Sequence, residues 1–294
     1  MRTVSVIGVG RAGGALALAL AKKGYRVENL IARDVERAER IAELTGSGPA
    51  VYAAGEYSGI RSDVVFIATQ DTGIEEVSKG LAAALRHGPF VFHTSGSLSS
   101  EILDELKAAG CRTGSIHPLV SISDPEMGSA RFAGAYFCIE GGPEAVMEAG
   151  RIVSDLGGRS FTIESRFKTL YHASAVTAAG HVTALLDASF EMMAKCGLAA
   201  AEVKNILLPL VKSTVENLGT QSPAEALTGT FARADTAAFE RHLEALKANV
   251  SEEILEIYLQ LAMRSLHLAE RQGVEAGRLE ELRDKVLMAK KNIR

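Results

Sequence analysis

The sequence predicts an α/β N-terminal Rossmann domain, a doubly wound and mainly parallel sheet, followed by an all-α C-terminal domain. Three observations carry this. Short apolar runs rich in β-branched residues alternate with amphipathic helical stretches as far as residue 164. A glycine-rich turn joins the first run to the first helix. From about Ser165 the β-branched runs disappear, and Ala, Leu, Glu and Lys at helical spacing take over. Continuous apolar strands alternating with helices specify a parallel sheet covered on both faces. The predicted domains are residues 1–164, which bind the dinucleotide, and 165–294, a helical dimerisation and substrate domain.

Each element has its own reason. Thr3–Val9 is an apolar strand ending in glycines, and Gly13–Lys23 is a small, apolar helix with basic residues at its end, as a helix C-terminus favours. Tyr25–Ala32 reads as the second strand. Asp34 then caps a helix whose charged face holds Arg37, Glu39 and Arg40. Asp63–Ala68 is apolar enough to be buried on both faces. Pro89–His93 is a strand, Ser99–Ala109 a helix, Arg112–Ile116 a short strand and Ala135–Ile139 another. Helix Pro143–Leu156 and strand Arg159–Ile163 complete the set. The second domain reads as helices Phe167–Cys196, Ala200–Leu218, Thr236–Asn249, Glu252–Gln272 and Ala276–Lys291. Pro209 should kink or interrupt the second of these.

Composition narrows the function. A chain of 294 residues is long for one core and suggests two domains. A hydrophobic share of 47% against 23% charged residues excludes wholesale disorder. The net charge of −4 disfavours nucleic acid as a partner. Cys111, Cys138 and Cys196 are odd in number and far apart, with no CxxC pair, which fits free thiols in a reducing cytoplasm. No segment has the roughly 18 uninterrupted apolar residues of a membrane span. The histidines lack the spacing of a metal site, so no metal is expected.

Gly8-Val9-Gly10-Arg11-Ala12-Gly13 fits the dinucleotide fingerprint G-x-G-x-x-G. It follows a strand, opens a helix and precedes a second strand, the context the fingerprint requires. Gly8 permits the tight turn, Gly10 lets the backbone approach a pyrophosphate, and Gly13 lets helix and strand sit close. The bland alternative is a strand-to-helix turn and nothing more. At the end of the second strand, where an acid would bind the ribose of NAD, stand Ala32, Arg33 and Asp34. Arg33 suits the 2′-phosphate of NADP(H). Asp34 would support NAD(H), the less favoured cofactor, unless it is the helix cap.

Several stretches carry a family resemblance. They are His93-Thr94-Ser95-Gly96-Ser97-Leu98, Ser115-Ile116-His117-Pro118-Leu119, Leu170 to Val176, Leu207-Leu208-Pro209-Leu210, and Ala226-Leu227-Thr228-Gly229 through Arg233, Asp235 and His242. Together they resemble the bacterial Rossmann-like proteins labelled deazaflavin-dependent NADP oxidoreductase-like, which carry an uncharacterised C-terminal helical domain. The resemblance spans essentially the whole chain. It implies a helical dimerisation domain similar to that of 6-phosphogluconate dehydrogenase and pyrroline-5-carboxylate reductase, but no substrate. Two departures fall near the expected substrate pocket. Thr228 to Asp235 reads Thr-Gly-Thr-Phe-Ala-Arg-Ala-Asp where the family has Thr-Gly-Pro-x-x-Arg-Gly-Asp, and Gly180-His181 replaces Asn-Tyr.

Candidate chemistry follows from position. Lys168 and His172, four apart, share a helix face about 40° wide. The spacing is similar to the Lys-x-x-x-Asn of β-hydroxyacid dehydrogenases, which would make Lys168 the acid/base and His172 an orienting residue. Against this stands a solvated lysine beside a packed histidine. His117, before Pro118 at the sheet's C-terminal edge, is similar to the His-Pro of prephenate dehydrogenases. Thr69, Gln70, His93, Thr94 and Ser95 lie at equivalent strand ends, where open α/β sheets bind ligands. Thr69, Gln70, Thr94 and Ser95 are assigned to the cofactor, and His93, His181 and Arg233 to the substrate. Asp235 reads as a helix cap. The leading function is hydride transfer between NADP(H) and a small polar molecule (carbonyl, imine or hydroxy acid) in an interdomain cleft. The alternative is an NADP(H)-binding sensor without hydride chemistry; a deazaflavin co-substrate rests on the resemblance alone. Broad apolar helix faces, including Ile254, Leu255, Tyr258, Leu259, Ala262 and Leu266, predict a homodimer.

Overall fold

The computed structural model describes residues 1–293. They form two compact units, Met1–Ala179 and the chain from Gly180 onward.

The first unit opens with β1 (Thr3–Ile7), α1 (Arg11–Lys22), β2 (Arg26–Ala32), α2 (Val35–Thr45), β3 (Ala50–Ala53), β4 (Val64–Ile67), α3 (Asp71–Ala84) and β5 (Phe90–His93). A 3-10 turn at Ser100–Leu103 leads into α4 (Asp104–Ala108). Then follow β6 (Arg112–Pro118), α5 (Pro125–Ala130), β7 (Tyr136–Gly141), α6 (Pro143–Asp155) and β8 (Arg159–Phe161). The strands form one sheet in the order β3-β2-β1-β4-β5-β6-β7-β8. The chain therefore builds outward from β1 in one direction and, from β4, in the other, which leaves a switch point between β1 and β4. Pairing is parallel except between β6 and β7. β7 runs antiparallel because the segment after Pro118 re-enters the sheet at the edge where β6 ends, with Pro118 paired to Phe137. No crossover is then needed.

Alternation along the strands fills two cores. Val4, Val6, Leu30, Val64, Phe66, Phe92 and Ile116 pack on one face with residues of α1 and α6. Ile7, Ile31, Val65, Ile67 and Val91 pack on the other with residues of α3 and α4. This is why the strands read as unbroken apolar runs: both faces are buried. Three elements lack such a signature in the sequence. β3 is short and partly exposed, and α5 has six residues. α3 carries Gly73 and Gly80 in its interior, which lowers helix propensity. Gly80 is there for packing, since a Cβ would lie 2.6 Å from the Tyr57 ring.

Helix α7 (Lys168–Ala194) begins in the first unit and continues into the second. The boundary between units lies inside it, beyond the composition shift at Ser165, because its first turns are bonded to β6. The second unit holds the rest of α7, α8 (Ala200–Leu218), α9 (Pro223–Ala226), α10 (Gly229–Ala232), α11 (Thr236–Asn249), α12 (Glu252–Arg271) and α13 (Ala276–Lys291). Pro209 does not interrupt α8. The carbonyl it deprives of a partner belongs to Asn205, an exposed residue whose backbone water can serve.

The apolar residues nominated for dimerisation prove to be internal. Leu255, Leu259, Ala262 and Leu266 join Phe239, Leu279, Leu282 and Val286 in the core of this unit, and Tyr258 packs against it; Ile254 is buried as well. A 3.6-residue apolar period reports burial without saying against what. Exposed apolar side chains of this unit include Val182 and Leu185 of α7 and Ile206, Leu208, Leu210, Val215 and Leu218 of α8, with Leu261 of α12 and Leu287 and Met288 of α13.

Ala234 has φ +44°, the left-handed region, where the resembling family has glycine. The next residue, Asp235, caps α11 by accepting a hydrogen bond from the Ala238 N–H at 2.9 Å. Asp235→Ala is expected to lower stability by about 1 kcal/mol, the usual cost of a lost cap. Chemical denaturation measures this, and an unchanged midpoint would remove the capping role.

Candidate functional site

Two sites are built on the C-terminal edge of the first unit's parallel strands. The first is a cavity of about 530 Å³ at the switch point. Gly8, Val9 and Gly10 after β1 line it, with Arg33 and Asp34 after β2, Thr69 and Gln70 after β4, and Arg37 on α2. The glycines differ in kind. A Cβ on Gly13 would sit 1.9 Å from the Gly8 carbonyl oxygen, so this glycine lets α1 close onto the strand. Gly8 combines φ +92° with backbone atoms of Ala68 and Thr69 2.6–2.7 Å from a Cβ. Gly10, in contrast, has nothing within 4 Å of a Cβ. Its bareness serves no internal contact and leaves a cradle open toward the cavity.

The donor set suits a dinucleotide. Helix α1 starts at Arg11 with no acidic residue in its first turn, so no carboxylate there competes with an anion for its free N–H groups and positive end. Arg11 is exposed and Ala12 half-buried in that turn. The buried Thr69 hydroxyl finds no hydrogen-bond partner among the described residues. Asp34 accepts from the Arg37 N–H at 3.0 Å and caps α2. Its carboxylate is thereby engaged, with Arg37 Nε also 3.8 Å from it, and Arg33 and Arg37 both line the cavity.

The second site follows from the two-residue period of three neighbouring strands. Register aligns His93 of β5 with Ser115 of β6, and Ser115 with Glu140 of β7. One step up, His117 pairs with Cys138. These five side chains break the apolar pattern on one face of the sheet, and the start of α7 lies over them. The Lys168 ammonium donates to Ser115 Oγ at 2.8 Å and to the Ser95 carbonyl at 3.4 Å. One turn later Tyr171 Oη lies 2.6 Å from His117 Nδ1. Two strand residues rise about 6.6 Å and a helical turn about 5.4 Å, so both pairs close together. His172 completes the group, its ring 5.7 Å from that of His117 and edge-on to it. Gly96 fits between them, since a Cβ would come within 2.6 Å of His172 and 2.8 Å of His117.

The electrostatics follow from burial. Lys168 is 1% exposed, and desolvation holds its ammonium below the usual lysine range, opposed by Cys138 and Glu140. His117 is lowered to about 4 by burial, with the His172 and Lys168 charges adding to the effect. Glu140 stays below the usual carboxylate range despite its burial. It accepts from the Ser100 N–H and hydroxyl at 2.8 and 2.7 Å and from the Ser165 hydroxyl at 3.1 Å.

Residues 1–118 match the model of a Rossmann-like domain. Residues 135–265 match a domain of unknown function, DUF2520. No curated protein sequence matches the chain. Among solved structures, a Bacteroides fragilis protein named for an inferred NADP oxidoreductase activity superposes with a TM-score of 0.75 at 20% identity, over 90% of this chain and 97% of its own. Protein TM1727 of Thermotoga maritima gives 0.68 at 24% identity, over 92% and 99%. The reductive aminase of Aspergillus terreus, solved with NADPH and ethyl-5-oxohexanoate, gives 0.59 at 18%, over 99% and 94%. At these identities the likeness is one of fold.

The sequence-predicted residues divide between the two sites and two other places. Gly8, Gly10, Arg33, Thr69 and Gln70 line the cavity. Lys168, His172 and His117 come together in the second site. Lys168 is not a solvated residue of the first turn: its whole side chain is enclosed. Ser95 lends that site its carbonyl, and Thr94, half-buried, begins the same loop. His93 has no free ring nitrogen for a substrate. Nδ1 accepts from the Ser95 N–H at 3.2 Å and Nε2 reaches the Ser99 carbonyl at 3.3 Å, so the fully buried ring holds the loop from inside. His181 and Arg233 belong to the second unit, where both are exposed.

Sequence reasoning missed Arg37, Ser115, Cys138, Glu140 and Tyr171. For Ser115 and Glu140 a signal existed. Each stands two residues from another non-aliphatic side chain on the same face of its strand, Ser115 from His117 and Glu140 from Cys138. Among the described residues no three His, Cys, Asp or Glu side chains are grouped to hold a metal, and no helix is long and apolar enough to cross a membrane.

Proposed function

We propose that this chain is an NADP(H)-dependent oxidoreductase acting on a small polar carbonyl, imine or hydroxy compound. The observation that carries the cofactor choice is the pair Arg33 and Arg37 at the cavity, with the neighbouring acid, Asp34, engaged as a helix cap. Arg33 and Arg37 would hold the 2′-phosphate, the first turn of α1 the pyrophosphate, and Thr69 a polar atom of the same ligand. The likeness to an NADPH-bound reductase supports this reading at the level of fold. A bound nicotinamide supplies or takes up a hydride. The chain itself must then orient the reacting group and manage a proton. Lys168 suits proton transfer, because burial makes its ammonium a better acid than a surface lysine. His117 suits polarising the reacting oxygen or nitrogen.

Thermal-shift titrations with NADPH, NADP, NADH and NAD test the proposal. A ligand at one hundred times its dissociation constant stabilises the fold by about 2.7 kcal/mol. NADPH is expected to stabilise the wild type. Arg33→Glu and Arg37→Glu should each weaken NADPH by about 10- to 100-fold, the worth of a charge-assisted contact, and NADH far less. Absence of a shift with all four ligands would overturn the reading. Hydride acceptors to be screened include a deazaflavin, the partner implied by the resemblance.

We also propose that two copies associate through the exposed apolar residues of α7 and α8 in the second unit, since single exposed side chains are ordinary but seven on two consecutive helices are not. Light scattering at micromolar concentration should return a dimer mass; a monomer would sink this proposal.

A further inference from the structure

Tyr171 has no role in the reading so far, yet it makes the shortest contact in the second site. Its hydroxyl lies 2.6 Å from His117 Nδ1, and its ring packs edge-on against both His117 and Phe161. It also interacts with Cys138, the register partner of His117 on β7. The hydroxyl thus has two neighbours and one hydrogen to give. An imidazole nitrogen is a strong acceptor, whereas a thiol sulfur is a weak one. The hydrogen therefore goes to Nδ1, the better acceptor and the neighbour at hydrogen-bond distance. Burial raises both the Tyr171 hydroxyl and the Cys138 thiol above their usual ranges, so both keep their hydrogens at neutral pH.

A neutral imidazole that accepts at Nδ1 must carry its own hydrogen on Nε2. That nitrogen has no hydrogen-bond partner among the described residues, and it is among the three atoms nearest to a Cβ placed on Gly96, at 2.8 Å. We propose that Tyr171 is a positioning residue that fixes His117 as the Nε2–H tautomer, so that His117 presents a neutral donor to the oxygen or nitrogen that becomes electron-rich on hydride addition. The role needs no proton to leave the imidazole. A neutral N–H aimed at developing negative charge lowers the barrier by electrostatics alone. The proposal rests on the oxidoreductase reading, to which it adds a substrate requirement: an acceptor lone pair on the reacting C=O or C=N group.

The test is nitrogen NMR of the full-length protein labelled at the histidine ring nitrogens, with His117 assigned by its loss in His117→Gln. In the wild type at pH 7, His117 should show one protonated nitrogen, Nε2, and an Nδ1 accepting a hydrogen bond. Tyr171→Phe should convert this to a mixture of tautomers. A wild-type signal for Nδ1–H would overturn the proposal, and it needs no variant to fold. So would a Tyr171→Phe spectrum identical to the wild type. Once a substrate is in hand, Tyr171→Phe should lower kcat at least tenfold with NADPH stabilisation unchanged, and an unchanged kcat would also overturn it. Failure of all substrates with the wild type would count against the oxidoreductase reading instead, and the tautomer would still be decided by the spectrum.

Discussion

Gly13→Ala is expected to cost about 3 kcal/mol or more of stability, whereas Gly10→Ala is expected to leave stability unchanged and remove the thermal shift given by NADPH. The two glycines share one motif and one turn, but a Cβ meets different things at each. At Gly13 it would overlap the Gly8 carbonyl oxygen at 1.9 Å and press on the Ala68 Cβ at 2.9 Å. Neither is the end of a flexible side chain, so α1 would have to move off β1, exposing core residues such as Ala17 and Leu20. Overpacking of a closed core costs 1–3 kcal/mol when side chains can yield, and more when only backbone can. At Gly10 the backbone has an ordinary φ of −81° and open space within 4 Å. A methyl there has nothing to collide with except a ligand lying against the turn. Denaturation midpoints and NADPH titrations on both variants separate structure from function. Should Gly10→Ala keep the full NADPH shift, the fingerprint glycines would be no more than a strand-to-helix turn.

This contrast shows what the sequence could and could not reveal. Strands buried on both faces announce themselves, because every position must be apolar and the runs are bounded by turns. β1, β2, β4 and β5 were legible for that reason, as were the long helices of the second unit. β3 at the sheet edge was not, since half its surface faces water and the pattern dissolves. The direction of β7 was illegible as well, because apolar content does not encode polarity of pairing. The cavity at the switch point was readable from spacing along the chain: Gly8, Gly10 and Arg33, which line it, lie within one strand-helix-strand unit. Arg37 escaped because a charge in the first turn of a helix ordinarily means a solvated face. The second site was half legible. Lys168 and His172 stood out by helical spacing, yet their partners come from β6 and β7, more than 25 residues away, and only strand register brings them under α7. The apolar face of α12 was read correctly as buried and wrongly as an interface. Periodicity states that a face is covered, and only packing identifies the cover.

Lys168→Met is expected to fold with a melting temperature equal to or above that of the wild type, while turnover falls by about 10²- to 10⁴-fold, the usual contribution of a positioned acid or base. The stability half follows from a comparison of costs. The ammonium is almost wholly enclosed, and desolvation is the largest influence on it. Removing an enclosed charge returns several kcal/mol of that penalty. What is lost is a hydrogen bond to Ser115 Oγ and a longer one to the Ser95 carbonyl, together about 1–3 kcal/mol. Glu140, the nearby counter-charge, is not orphaned, because Ser100 and Ser165 continue to donate to it. Methionine fills nearly the same volume and adapts its shape. A protein that keeps an enclosed lysine against this balance is holding it for its proton rather than for its packing. Thermal denaturation and steady-state kinetics on the one variant therefore discriminate three accounts. Retained stability with lost turnover identifies an acid/base. A large fall in melting temperature identifies a structural tie between β6 and the loop after β5. Retained stability with a wild-type response to NADPH and no turnover in either protein identifies the sensor, in which the amine serves neither purpose.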